Sequence, residues 1–113
     1  MRPAVSVIMP AYNHERYVAE AIESVLSQSF SDFEFIIVND GSTDTTGEII
    51  KRYTDPRIVY HCQGNAGSHA AINRALELAK GSYVSIINSD DVYHEKRLET
   101  LFNTATAESR DFL

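Results

Sequence analysis

The feature that most constrains the fold is a regular alternation of short apolar runs with longer segments of helical period. Four runs rich in β-branched and aromatic residues alternate with four segments whose apolar residues recur on one helix face. The predicted strands are residues 4–9, 33–39, 57–61 and 83–87, and the predicted helices are residues 14–28, 45–53, 68–80 and 95–107. Asn13 is predicted to cap the first helix, and Thr45 and Glu48 have capping-box spacing in the second. The alternation indicates an α/β fold with a parallel sheet and helices on both faces.

The strand order follows from the same pattern. The second run, FEFIIVN, is almost continuously apolar, which is typical of a strand covered on both faces. We predict the order 3-2-1-4, which is that of a Rossmann-like half-sheet. The chain then changes direction between strands 1 and 4, and ligands bind there, beyond the carboxyl ends of the strands.

Length and charge exclude several classes of function. The 113 residues make one small domain or part of a larger one. Lys and Arg total 10 against 16 Asp and Glu, and the net charge of −6 argues against a nucleic-acid partner. No apolar run approaches the ~18 residues that a membrane span needs, and the first ten residues do not resemble a secretion signal. We therefore expect a soluble, cytoplasmic chain, and its single cysteine, Cys62, fits a reducing compartment.

Polar residues cluster after three of the four predicted strands. They form the segments PAYN at 10–13, DGS at 40–42 and NSDD at 88–91. In the order 3-2-1-4 these loops are neighbours, so their carboxylates converge and repel unless a counter-charge is present. Oxygen ligands favour a hard divalent ion, Mg²⁺ or Mn²⁺. The glycine-rich dinucleotide motif, the P-loop and the nucleophile elbow are absent from the sequence, which leaves a phosphate-bearing ligand held through a metal.

An ordered series of motifs resembles one family over almost the whole chain. The segments are VSVIMPAYN at 5–13, SVLSQSF at 24–30, FIIVNDGSTD at 35–44, NAG at 65–67, AIN at 71–73 and SDD at 89–91. Their order and spacing are similar to those of family-2 glycosyltransferases with the GT-A fold. The resemblance implies that residues 1–113 are the part that binds a nucleoside diphosphate sugar, without the acceptor-binding part.

The resemblance implies a role for the first two polar loops. Pro10, Tyr12 and Asp40 would line the pocket of the nucleotide base. Asp40 would accept a hydrogen bond from a ring N–H, which uracil, thymine and guanine have and adenine lacks; a UDP-sugar is our first choice. Asn13, Asn65 and Gly67 are further candidate contacts to the nucleotide sugar. Asn65 and Gly67 also fit a purely structural role, in which they shape the loop before the third helix.

The acidic loop would hold the metal. By resemblance, Asp90 contacts the ribose and Asp91 ligates the Mn²⁺ or Mg²⁺ that bridges the diphosphate, with Asp90 as the second candidate ligand. Asn88 and Asn39 stand where many family members have aspartate, and each change removes a charge. The four histidines have no ligand spacing and are interpreted as surface or loop residues.

The resemblance implies metal-dependent transfer of a sugar to an acceptor hydroxyl, with inversion at the anomeric carbon, and the sequence does not identify the acceptor. The family's general base lies in the acceptor-binding part, so we expect this chain alone to bind donor and to be a poor catalyst. The resemblance points to synthesis of surface polysaccharide or glycoconjugate, cytoplasmic or peripheral at the inner membrane. Two alternatives stay open: a non-catalytic nucleotide-binding or interaction module, and an unrelated doubly wound domain such as a receiver.

Overall fold

The computed structural model describes residues 2–108 and forms a parallel four-stranded sheet in the order β3-β2-β1-β4. The strands are β1 (Val5–Ala11), β2 (Phe33–Asp40), β3 (Ile58–Gln63) and β4 (Tyr83–Ile86). The helices are α1 (Val18–Leu26), α2 (Thr46–Lys51), α3 (Ser68–Leu78) and α4 (Arg97–Glu108). The predicted fold class and strand order are both confirmed.

The central strand β1 is buried along its whole length because helices cover both faces of the sheet. Side chains alternate between the faces of a strand. Val5, Val7 and Met9 pack in the larger core cluster, to which α1, α2 and α4 contribute. Ile8 points the other way and packs against Ala71 and Ala75 of α3. This double burial explains the continuous apolar runs of the sequence.

The start of the first helix differs from the prediction. Helix α1 begins at Val18, after a turn over residues 15–17, and Asn13 does not cap it but adopts a φ of 50°. The backbone N–H groups of this segment instead donate to side chains in the loop between β2 and α2 and at the first residue of α2. The pairs are Asn13 with Ser42, His14 with Thr46 and Glu15 with Asp44. Contacts with a segment 29 to 32 residues away therefore override the local helical period.

The predicted capping box of α2 is also wrong. Thr45 occupies the N-cap position without a side-chain cap bond, and its hydroxyl donates to Glu15 at 3.0 Å. Asp44 supplies the acceptor instead, because its Oδ1 takes the backbone N–H of Thr46 at 2.9 Å and also the Thr46 hydroxyl. The carboxylate thus satisfies an N–H group at the start of the helix that the chain would otherwise leave unpaired.

Gln28, from the SVLSQSF motif, joins the end of α1 to the start of α4. Its side-chain NH₂ donates to the carbonyls of Ser24 and His94, at 2.9 and 2.7 Å. Its carbonyl oxygen accepts the N–H of Leu98 at 2.9 Å, in the first turn of α4. The residue is buried, so these groups have little access to water. Gln28 therefore fixes where the chain goes after the acidic loop.

Replacing Gln28 with leucine is expected to lower the free energy of unfolding by about 2 kcal/mol, because it leaves the buried N–H of Leu98 without a partner and removes one of the two hydrogen bonds that the His94 carbonyl accepts. Urea titration of the purified protein would measure the change. Ser27→Ala, at the exposed neighbouring position, is the control and should stay within about 0.5 kcal/mol of the parent. Equal stability of Gln28→Leu and Ser27→Ala would contradict the assignment.

Candidate functional site

A cavity of about 610 Å³ opens where β1, β2 and β4 end, at the edge that the sequence predicts. Its lining residues are Pro10, Ala11, Tyr12, His14, Asp40, Asn65, Gly67, Ser68, Asn88, Ser89 and Asp90. Six of the predicted site residues are therefore brought together: Pro10, Tyr12, Asp40, Asn65, Gly67 and Asp90. Asn13 and Asp91 each follow a lining residue in the chain but do not line the cavity themselves.

Tyr12 and Asn13 are adjacent in the loop after β1 and do different things. Tyr12 leaves 45% of its surface exposed at the cavity, so its ring is free to stack on a flat ligand. The side-chain oxygen of Asn13 instead accepts the backbone N–H of Thr43 at 2.8 Å. Asn13 therefore holds the first two polar loops together, and Tyr12 presents a surface to the cavity.

Asp40 lies at the end of β2 and is only 2% exposed. Its Oδ1 accepts hydrogen bonds from the Gln63 side chain and from the N–H of Ala66, both at 2.9 Å. Its Oδ2 accepts the N–H of Gly67, also at 2.9 Å. Burial by itself would raise the pKa of Asp40, but these three hydrogen bonds outweigh it and hold the pKa below its usual value. The carboxylate is thus ionised and anchors the loop before α3.

Gly41 allows that loop to come close to the end of β2. Its φ is +70°, and a Cβ at this position would lie 2.6 Å from the backbone nitrogen of Asn65. The side-chain amide of Asn65 donates to the carbonyl of Asp40 at 3.1 Å. The DGS segment therefore requires glycine in its centre both for its backbone conformation and for the approach of Asn65.

Asn39, which replaces an aspartate of the common family pattern, is buried and bonded inside the fold. Its NH₂ group donates to the Tyr60 hydroxyl at 3.0 Å, and its carbonyl oxygen accepts the N–H of Ser42 at 3.1 Å. It is not among the residues that line the cavity. The change from aspartate therefore places a neutral donor and acceptor beneath the DGS turn.

Stability is expected to fall in acid because two carboxylates of these loops have lowered pKa values. Burial opposes the effect for both Asp40 and Asp44, but their hydrogen bonds dominate. The folded protein then binds fewer protons than the unfolded chain, so the stabilisation is complete above the unfolded pKa of about 3.9 and is lost as the pH falls through the folded values. Urea midpoints measured from pH 7 to pH 2.5 should decline below about pH 4, and a flat profile would contradict this.

The acidic loop is held firmly at both ends. Before it, the N–H of Ile87 donates to the carbonyl of Ile8 in β1 at 2.9 Å. After it, the Tyr93 hydroxyl donates to the carbonyl of Ile86 at 2.7 Å, and the Ser85 hydroxyl lies 2.7 Å from the Tyr93 oxygen. The phenol has a single proton, so Ser85 must be the donor in the second bond. These hydrogen bonds therefore fix the two ends of the loop.

The carboxylates of this loop face solvent. Asp90 and Asp91 are both exposed; Asp90 lines the cavity, and Asp91 lies 3.5 Å from the Asn88 amide. Across residues 2–108, no three histidine, cysteine or acidic side chains gather in a way that could hold a metal ion. Two adjacent carboxylates nonetheless fit Mg²⁺ or Mn²⁺, because such ions often take one or two carboxylates and fill their other positions with water and substrate phosphates. The chemistry of these two side chains thus suits a hard divalent cation.

Sequence reasoning missed His14 and Ser89. Both line the cavity, and the His14 Nδ1 lies 2.5 Å from the Ser89 hydroxyl. The histidine had no ligand spacing, and the serine sits between more conspicuous polar residues. Their positions could have indicated this contact. His14 follows β1 and Ser89 follows β4, and these two strands are neighbours in the predicted sheet.

Comparison with known proteins identifies the family. The family model described as Glycosyl transferase family 2 matches residues 6–113. The chain belongs to this family. Within residues 2–108, none of this family-2 chain's helices is long and apolar enough to cross a membrane.

Relatives of this family-2 chain include TuaG of Bacillus subtilis, a putative teichuronic acid biosynthesis glycosyltransferase, which is 45% identical over 87% of the chain and 40% of TuaG. S. aureus TarS 1–349 in complex with UDP-GlcNAc matches with a TM-score of 0.88 at 31% identity, over 96% of the chain and 32% of TarS. The mannosyltransferase PcManGT from Pyrobaculum calidifontis, in complex with GDP-Man and Mn²⁺, matches with a TM-score of 0.79 at 28% identity. The match covers 93% of the chain and 32% of PcManGT.

The chain is short beside these relatives. It spans between 14% and 40% of the length of the first three curated relatives that it matches.

Proposed function

We propose that this chain is the donor-binding part of a metal-dependent glycosyltransferase and that its cavity binds a nucleoside diphosphate sugar. The observation that carries the proposal is the meeting of Tyr12, Asp40 and Asp90 around one cavity, since these residues come from the loop after β1, the last position of β2 and the loop after β4. Together they offer a flat aromatic surface, a fixed hydrogen-bond acceptor and an exposed carboxylate.

Asp40 is proposed to select the base. Its Oδ2 accepts one hydrogen bond from the protein and its Oδ1 accepts two, so Oδ2 keeps capacity for another donor. An imide N–H of uracil, thymine or guanine matches that acceptor, and adenine has no such group. Uracil is our first choice, and the complex of TarS with UDP-GlcNAc supports it.

Asp91, with Asp90, is proposed to hold Mn²⁺ or Mg²⁺. The complex of PcManGT with GDP-Man and Mn²⁺ supports the choice of manganese. A bound ion would act as a Lewis acid that stabilises the charge of the departing diphosphate. The contribution of this chain is to place the two carboxylates on a loop fixed by Tyr93 and by the Ile87–Ile8 hydrogen bond.

The proposed reaction displaces the nucleoside diphosphate from the anomeric carbon by an acceptor hydroxyl, with inversion. A general base must deprotonate that hydroxyl, and we place it in the acceptor-binding part, outside these residues. The name of TuaG, a putative teichuronic acid biosynthesis glycosyltransferase, supports a polysaccharide as the product. We propose that the transfer takes place on the cytoplasmic side of the membrane. The main alternative is a non-catalytic nucleotide-binding or interaction module.

Isothermal titration calorimetry with UDP, GDP and dTDP, each with and without Mn²⁺, tests the proposal. We expect UDP to bind most tightly of the three, and to bind measurably only when Mn²⁺ is present. ADP is the matched control and should bind at least about tenfold more weakly than UDP, a difference of about 1.4 kcal/mol. Absence of binding to all three, or binding that ignores Mn²⁺, would overturn the proposal.

A further inference from the structure

We infer that His14 is a positioning residue that holds the acidic loop against the base side of the cavity. The inference deepens the proposed function and rests on it. It concerns how the loop that carries Asp90 and Asp91 is kept in register with the loop that carries Tyr12. The contact that points to this role joins residues 75 positions apart in the chain.

Three hydrogen bonds hold the backbone of His14 independently of its ring. Its N–H donates to the Thr46 hydroxyl at 3.0 Å, and that hydroxyl in turn donates to Asp44. Its carbonyl accepts the N–H groups of Tyr17 and Val18, at 3.0 and 2.9 Å, where the chain enters α1. A residue held on both sides in this way directs its side chain with little freedom.

The imidazole then reaches across to the acidic loop. Its Nδ1 lies 2.5 Å from the hydroxyl of Ser89, whose surface is only 1% exposed. The Tyr17 ring and the imidazole lie edge to face, with 6.1 Å between their centroids and an angle of 78° between their planes. Either neutral tautomer makes the bond, because a hydroxyl both donates and accepts.

Ser89 is the point at which the loop needs support. The loop is tied to the sheet before residue 88 and by Tyr93 after it. Between these ties, the remaining side-chain bond within the described residues joins Asn88 to Asp91 and stays inside the loop. The His14–Ser89 bond is thus the side-chain tether from the middle of the loop to another element in the part of the chain that the structure describes. Groups that hydrogen-bond directly to metal ligands commonly change metal affinity by about 10- to 100-fold when they are removed. Because His14 acts on the proposed ligands through Ser89, we expect the lower end of that range.

Two replacements of His14, by asparagine and by glutamine, separate the loss of the hydrogen bond to Ser89 from the loss of side-chain volume. Asparagine places an amide near the position of Nδ1 and can still bond to Ser89, whereas glutamine reaches the position of Nε2. In calorimetry with UDP, we expect His14→Ala and His14→Gln to raise the Mn²⁺ concentration for half-maximal binding about tenfold. In His14→Asn, this concentration should stay close to that of the parent protein. Ser89→Ala should behave like His14→Ala, and the double variant should be no worse than either. His69→Ala, at an exposed histidine outside the cavity lining, is the control.

The readouts distinguish the two proposals. A purely structural defect would reduce the fraction of protein that binds, not the Mn²⁺ midpoint. An unchanged midpoint in His14→Ala, with parent UDP binding intact, would overturn this inference alone. If the parent binds no nucleoside diphosphate, the proposed function falls, and hydrogen exchange still decides the tether. The amide of Asp91 should exchange at least about fivefold faster in His14→Ala than in His14→Asn, and equal rates would overturn the inference.

Discussion

Replacing Asp91 with alanine is expected to remove the Mn²⁺ dependence of UDP binding and to weaken that binding about 100-fold, or about 2.8 kcal/mol. The reason is that the proposed cation has only two protein carboxylates, Asp90 and Asp91, and its other positions fall to water and phosphate oxygens. Removal of one carboxylate takes away a charged ligand that water does not replace. Calorimetry with and without Mn²⁺ measures both effects.

Glu95→Ala provides the matched control for that variant. It removes the same charge from an exposed position just beyond the loop, so it separates ligation from the general electrostatic field. We expect Glu95→Ala to retain the Mn²⁺ requirement and to bind UDP within about twofold of the parent, because exposed charges are screened. If Asp91→Ala kept its Mn²⁺ requirement, the ion would have to be assigned to Asp90, the carboxylate that lines the cavity.

The second large effect is expected at Asp40. Its replacement by alanine should lower the free energy of unfolding by about 3 kcal/mol, because the N–H groups of Ala66 and Gly67 and the side-chain amide of Gln63 lose a buried, charged acceptor. UDP affinity should fall by at least about tenfold as well, since the wall of the cavity before α3 relaxes and the base loses its partner. Urea titration and calorimetry measure the two consequences separately.

Asp32→Ala is the control for Asp40→Ala. Asp32 is exposed, and only its backbone carbonyl bonds to the rest of the described chain, so its carboxylate contributes little to stability. Asp40→Asn keeps the shape of the side chain but places an amide NH₂ group against N–H donors. We expect its loss of unfolding free energy to lie between those of Asp32→Ala and Asp40→Ala. An Asp40→Ala protein as stable as Asp32→Ala would show that the three hydrogen bonds do not anchor the loop.

The architecture and the meeting of three loops were predictable from local pattern. Strand and helix periods differ, so the alternation of elements can be recognised residue by residue. The parallel order then places the ends of β1, β2 and β4 at one edge, and Tyr12, Asp40 and Asp90 follow those ends. The predicted ends of the elements were less accurate. Strand β1 extends to Ala11 where residue 9 was predicted, and α3 ends at Leu78 where residue 80 was predicted.

The errors share one physical cause. Asn13 and Thr45 have the chemistry of helix caps, but in the fold each bonds to the neighbouring loop: the Asn13 oxygen accepts from Thr43, and Thr45 donates to Glu15. Polar side chains take whichever partner is near and unpaired. The nearest partner depends on the packing of distant segments, which a local motif does not encode.

The sequence alone determined the sheet, its order and the edge at which polar residues collect, because hydrophobic period and chain connectivity leave few other arrangements. Only the tertiary structure decided what each polar residue does there. It turned Asp40 inward as an anchor, left Asp90 and Asp91 facing solvent, and brought His14 to Ser89. Such roles depend on distances of a few ångströms between segments far apart in the chain, and those distances exist only once the core has packed.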